Sequence, residues 1–117
     1  TNPLQWGMTS TSPSSMDDIQ LADNTNEHRF ELRKGGVVAA HSEYNLLKGA
    51  VMFTHTEVQP QFEGQGIGSR LAAYALDDVR KRGLKVVPVC QFIAGYIRRH
   101  PEYLDLVSDE SRRAFHL

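Results

Sequence analysis

Three glycines in five residues, Gly64, Gly66 and Gly68, separate an apolar, β-rich run from an amphipathic one. Ala50 to Val58 ahead of them reads as a strand, and Leu71 to Arg82 after them reads as a helix. A chain that leaves a strand and enters a helix through such a turn can bring its backbone close to a bulky anion, because no Cβ stands in the way. The first N–H groups of the helix lack partners within it and sit at the positive end of its dipole, so they suit a phosphate.

Two common glycine-rich phosphate loops do not fit. A P-loop needs Gly-Lys-Ser/Thr at the helix start, and Gly68-Ser69-Arg70 has no lysine there. A dinucleotide fingerprint needs G-x-G-x-x-G followed by an acid on the next strand. Here the spacing differs, and Leu84 to Val89 carries no acid. A tight strand–helix turn without a ligand is the remaining plain reading of the glycines.

The stretch Gln61-x-x-Gly64-x-Gly66 resembles the acetyl-CoA loop of the GNAT N-acetyltransferases, Gln/Arg-x-x-Gly-x-Gly/Ala, and Ile67-Gly68 continues it. His55-Thr56-Glu57-Val58, Pro88-x-Cys90-x-Phe92 and Tyr96-Ile97-x-x-His100-Pro101-Glu102-Tyr103 resemble the small single-domain "minimal GNAT" branch. The resemblance spans residues 27 to 107. It implies that acetyl-CoA is held by Gln61, Gly64, Gln65, Gly66, Ile67, Gly68, Ser69 and Arg70. It also implies that the backbone of Thr54, Thr56 and Val58 bonds the pantetheine arm where two strands splay. Glu63 is a departure, since many members carry arginine there, and a like charge beside the pyrophosphate opposes binding.

With 117 residues the chain is sized for one domain with one core. A net charge of −1 argues against a nucleic-acid partner. The single cysteine excludes an internal disulfide. No apolar stretch approaches the roughly 20 residues of a membrane span, and no secretory pattern opens the chain; a cytoplasmic protein is expected. Ten of the first fifteen residues are Ser, Thr, Asn or Pro. Residues 1–26 are therefore expected to form a disordered leader, with Met8 and Met16 as candidate native starts and Trp6 without a core to join. Residues 27–117 form the folded unit.

Phe30-Glu31-Leu32-Arg33 alternates like a half-buried strand, and Gly35-Gly36 makes a hairpin turn. Val37 to Leu46 and Ala50 to Val58 complete a three-stranded antiparallel meander, ended by Pro60. Ile67, Leu71, Ala75 and Val79 give the following helix its apolar face, and Gly83 suits its C-terminus. Leu84 to Val89 is then a strand parallel to the third, reached by a right-handed crossover, and a helix over Gln91 to Arg99 stops at Pro101. The class is α+β with a mixed sheet: a meander followed by a helix–parallel strand–helix unit.

Acetyl transfer to an amine needs a neutral amine, a polarised thioester carbonyl and a stabilised leaving thiolate. Cys90 precedes a helix, where the dipole favours a thiolate, and the resemblance places a cysteine there; it is either a transient acetyl carrier or a small buried hydrophobe. His55 and Glu57, two apart on a strand, face one side and form a candidate general base. Val51 and Phe53 fall on that same side, so a hydrogen-bonded core histidine is the alternative. Tyr96 is a candidate acid for the thiolate, or an amphipathic residue at the core edge. Arg98, Arg99 and His100 are either contacts for the 3′-phosphate or the cationic last turn of a helix. The histidines and the cysteine show no metal-ligand spacing, and no metal is expected.

Two functions remain open. One is an N-acetyltransferase acting on an amine that these residues do not identify, small molecule or protein lysine. The other is a CoA-binding module with little turnover, favoured by the short Gly35-Gly36 link where larger relatives place two helices.

Overall fold

The computed structural model describes residues 18–117. Five strands form one mixed sheet in the order β1-β2-β3-β4-β5. β1 (Ile19–Asn24), β2 (Arg29–Lys34), β3 (Val37–Leu47) and β4 (Ala50–Val58) are an antiparallel meander, and β5 (Lys85–Pro88) runs parallel to β4. α1 (Ile67–Lys81) makes the crossover, and α2 (Gln91–Arg99) and α3 (Asp109–Ala114) follow.

The meander has one strand more than the sequence reading gave it. Ile19–Asn24 belonged to the expected leader, but it pairs with β2 over six residues. Asp23 anchors it further. Tyr44 donates to one carboxylate oxygen of Asp23 at 2.6 Å and Arg82, at the end of α1, to the other at 2.7 Å. The ordered domain thus reaches back to residue 18. The rest of the expected leader, residues 1–17, lies outside the described residues.

One face of the sheet is apolar because its alternating positions are. Phe30 and Leu32 of β2, Ala40 and Tyr44 of β3, and Val51 and Phe53 of β4 join Leu71, Ala75, Leu76 and Val79 of α1 and Ile93 and Ile97 of α2 in one buried cluster. Each fully buried large side chain of this kind contributes about 1.5–3 kcal/mol. The opposite face carries Arg29, Glu31 and Arg33 of β2, His41 and Glu43 of β3, and His55 and Glu57 of β4. Glu31 is buried there. Its carboxylate takes hydrogen bonds from Arg29 at 2.7 Å, Asn24 at 3.0 Å and Arg33 at 3.2 Å. Burial works against the charge, but the bonds from Arg29 and Asn24 and the two guanidinium charges hold the carboxyl below its ordinary range.

β4 changes phase halfway along. Glu43 of β3 pairs with His55, and Tyr44 with Phe53, so Thr54 has no partner and forms a bulge. Before it, Val51 and Phe53 point into the core. After it Thr56 and Val58 take the core side, and His55 and Glu57 turn outward with side chains 54% and 52% exposed. The expectation that His55 shares a face with Val51 and Phe53 is therefore corrected, because one extra residue breaks the period of two.

Candidate functional site

β5 ends at Pro88, opposite Phe53, and the Cys90 N–H closes the pair by donating to the Phe53 carbonyl at 2.9 Å. Thr54 to Val58 continue past that point with β3 on one side and, among the described residues, no strand on the other. The gap leads into an open cleft of about 370 Å³ lined by Thr56, Val58, Glu63, Gly66, Ser69 and Phe92, among others.

The far wall is the start of α1. Gly66 caps it with φ of 74°, in the left-handed region that an L side chain resists, and no side chain supplies a capping bond. The N–H groups of Ile67, Gly68 and Ser69 are the free donors of the first turn, which contains no acid. Gly64 has φ of 84° in the same turn. A Cβ on Gly64 or Gly66 would meet nothing within 4 Å, so both serve the backbone path. Gly68 differs. It is helical, and a Cβ there would lie 2.6 Å from Cζ of Phe92 and 3.2 Å from Val58 Cγ2. Its glycine lets α1 pack tightly on β4 and α2, a role the sequence reading assigned to phosphate approach.

Gln61 lies in a 3₁₀ turn, Pro60–Phe62, leading into the loop, and is exposed like Ser69 and Arg70. The Gln65 side chain accepts from Lys34 Nζ at 2.7 Å, and that ammonium stands 6.0 Å over the Phe62 ring. Lys34 was missed from sequence because it comes from β2, 31 residues away. It sets a cation beside a loop whose own Glu63 is acidic.

Cys90 is buried at the base of the gap, as the N-cap of α2. Its thiol donates to Thr56 Oγ1 at 3.2 Å, and Thr56 shares a 2.9 Å hydrogen bond with buried Ser42. The sulfur thus meets a chain of two hydroxyls and no imidazole. Thr54, the bulged residue, is exposed and lies 3.4 Å from the Glu43 carbonyl through its hydroxyl. His55 and Glu57 stand on the other face, with Nε2 and Oε1 3.2 Å apart. Cys90 and the His55–Glu57 pair are thus brought to opposite sides of the strand that borders the gap.

Tyr96 is not brought to the cleft. It is buried against His100, stacked at 4.1 Å, and Tyr103 at 5.9 Å. Burial first, then the charges of Glu102 and Asp77, push its phenol above its ordinary value. Glu102 belongs to the 3₁₀ turn after α2, and Asp77 to α1. Arg98 is also committed elsewhere, donating to the carbonyls of Phe115 and His116 at 2.9 and 3.2 Å.

One grouping on the outer face was not expected from the sequence. His41, His55 and Glu57 place ligand atoms within 4.8 Å of one another. They come from two strands, so linear spacing hides them. No helix among the described residues is long and apolar enough to cross a membrane.

A family profile described as GCN5-related N-acetyl-transferase matches residues 29–106. No curated protein matches the chain. Among solved structures, an NMR solution structure of a GCN5-like protein from Staphylococcus aureus superposes with a TM-score of 0.62 at 20% identity, over 78% of this chain and 89% of the other. The ribosomal-protein-S18-alanine N-acetyltransferase from Escherichia coli gives a TM-score of 0.49 at 17% identity, over 75% of this chain and 49% of that one.

Proposed function

Because the chain belongs to the GCN5-related N-acetyltransferase family, we propose that it moves an acetyl group from acetyl-CoA to an amine. The observation that carries this reading is the continuity of the uncapped, glycine-turned start of α1 with the open gap beside Thr54–Val58. The pyrophosphate meets the N–H groups from Gly66 to Ser69, with Gln61, Gly64, Gln65, Ile67, Gly68 and Arg70 completing the loop. Lys34 adds a positive charge that offsets Glu63. The pantetheine arm extends β4 by bonding the free edge of Thr54, Thr56 and Val58.

This course puts the thioester near Cys90 and Thr56, where the gap opens toward the outer face. The amine nitrogen attacks the carbonyl carbon from that face, the C–S bond breaks, the acetyl group stays on the nitrogen as an amide, and CoA leaves as a thiolate that takes up a proton to become the free thiol. His55 with Glu57 receives the amine proton. Cys90 lines the thioester end and is not the acetyl carrier, since its thiol donates to a hydroxyl and has no base beside it. A cytoplasmic setting, where acetyl-CoA is at hand, belongs to this proposal.

A second reading, a CoA-binding module without turnover, is favoured by the Gly35-Gly36 turn that alone joins β2 to β3. No helices wall an acceptor site there. The same openness suits a large acceptor such as a protein lysine. An ¹⁵N NMR titration with acetyl-CoA, run beside thiol release with a panel of amines, separates the possibilities. Shifts at residues 54–58 and 64–70 with amine-dependent CoA release support the transferase. Shifts without release support the module, and unmoved amides in both segments refute the site.

A further inference from the structure

The outer face of the sheet holds a constellation that binding acetyl-CoA does not require. In the β3–β4 register His41 lies opposite Glu57 and Glu43 opposite His55. Along each strand a histidine meets the carboxylate two residues on, His41 Nε2 to Glu43 Oε2 at 3.0 Å and His55 Nε2 to Glu57 Oε1 at 3.2 Å. Imidazoles and carboxylates therefore alternate around a small square, with the two imidazole centroids 6.1 Å apart.

We propose that His41, His55 and Glu57, supported by Glu43, bind a divalent transition-metal ion of the zinc type. Donor atoms already within 4.8 Å of one another need to close to roughly 3.3 Å, the separation set by a tetrahedral ion with bonds of about 2.0–2.1 Å. That movement is small for side chains of this length. The His41 side chain, 14% exposed, is held by its neighbours, and that of His55, 54% exposed, is free to swing in. Two neutral imidazoles and two carboxylates leave a dication electrically balanced. The nearest competing cation, Arg29 opposite Glu43, is engaged by buried Glu31. Mixed imidazole and carboxylate donors suit Zn²⁺, Ni²⁺ and Cu²⁺, whereas Mg²⁺ and Ca²⁺ prefer all-oxygen sets.

The geometry exists because of the bulge at Thr54, which turns His55 and Glu57 onto the face of His41. The inference stands apart from the acetyl-transfer reading, although a bound ion would occupy His55 and so withdraw it from any amine.

Calorimetric titration of the full chain with ZnCl₂ in a non-coordinating buffer tests the site, with amide spectra as the check on folding. One equivalent is expected, moving the amides of residues 41, 43, 55 and 57. His55→Gln should weaken affinity at least tenfold, His41→Gln likewise, and Glu43→Gln by roughly tenfold, as for an outer-shell partner. His116→Gln should change nothing, and MgCl₂ should not bind. No saturable Zn²⁺ binding below millimolar concentration would overturn the proposal, as would equal affinity in the His55→Gln protein. His55 is exposed enough that its variant folds, so that protein decides the matter even where His41→Gln misfolds.

Discussion

Replacing Gly68 by alanine sets two effects of known size against each other. Alanine in place of glycine within a helix gains up to ~1 kcal/mol. The new methyl would stand 2.6 Å from Phe92 Cζ and 3.2 Å from Val58 Cγ2, an overpacking that costs ~1–3 kcal/mol. The ring tip of half-buried Phe92 can yield, so the net loss should be about 0–2 kcal/mol, a fall in Tm of up to roughly 15 °C for a domain of this size. Phe92→Leu removes Cζ and Cε1, the ring atoms in conflict. In that background Gly68→Ala should become neutral or stabilising by up to ~1 kcal/mol, because the helix gain remains and only the milder 3.2 Å approach to Val58 Cγ2 is left. Urea denaturation of the four proteins gives the coupling directly, and a value of ~1–3 kcal/mol is expected. An identical Gly68→Ala effect in both backgrounds would show that the contact with Phe92 does not explain this glycine.

Gly66→Val should strain a backbone at φ of 74° by about 1–3 kcal/mol and abolish acetyl-CoA binding, read from the amides of residues 64–70. Cys90→Ser should keep most activity if acetyl passes directly to the amine; loss of several orders of magnitude, with one acetyl group found on Cys90 of the unaltered protein, would reverse that assignment. Glu31 has its carboxyl held below the ordinary value of 4.5, so its stabilising effect is present above that value and is lost as pH falls through the lower folded one. Glu31→Gln should therefore reduce stability at neutral pH and flatten its acid decline, measured by urea titrations from pH 7 down to about 3. Deleting residues through Asn26 should lower Tm clearly, since it removes β1 and leaves Tyr44 and Arg82 without Asp23; an unchanged melting curve would contradict that anchoring role.

What could be read from the residues alone was local. α1 announces itself through Ile67, Leu71, Ala75 and Val79, and β4 through its apolar run, its boundaries found to the residue. The loop residues were legible because glycine and helix start are neighbours in the chain. β1 was not, because Ile19–Asn24 is short, adjoins polar sequence, and is held by partners 21 and 59 residues beyond Asp23. The same physics hid the bulge, Lys34 beside Gln65, and the His41–His55–Glu57 group. Each depends on which strands are side by side, and pairing register has no signature in one strand's composition. Tyr96 has the spacing from Cys90 that the resemblance implies, and its helix packs it beside His100 and Tyr103.

Thr54 has a consequence for how substitutions along β4 should be tolerated. The strand is two half-strands in opposite phase, so the positions that must stay apolar or small run 51, 53, 56, 58 rather than every second residue. Removing one residue at Thr54 would leave the upstream core untouched. It would also leave His55 and Glu57 outward and Thr56 and Val58 on the core side, because it takes out the one extra residue and restores a plain period of two. A single-residue deletion there would act as the repair of a bulge, and screens of deletion variants should find it better tolerated than loss of a core residue such as Phe53.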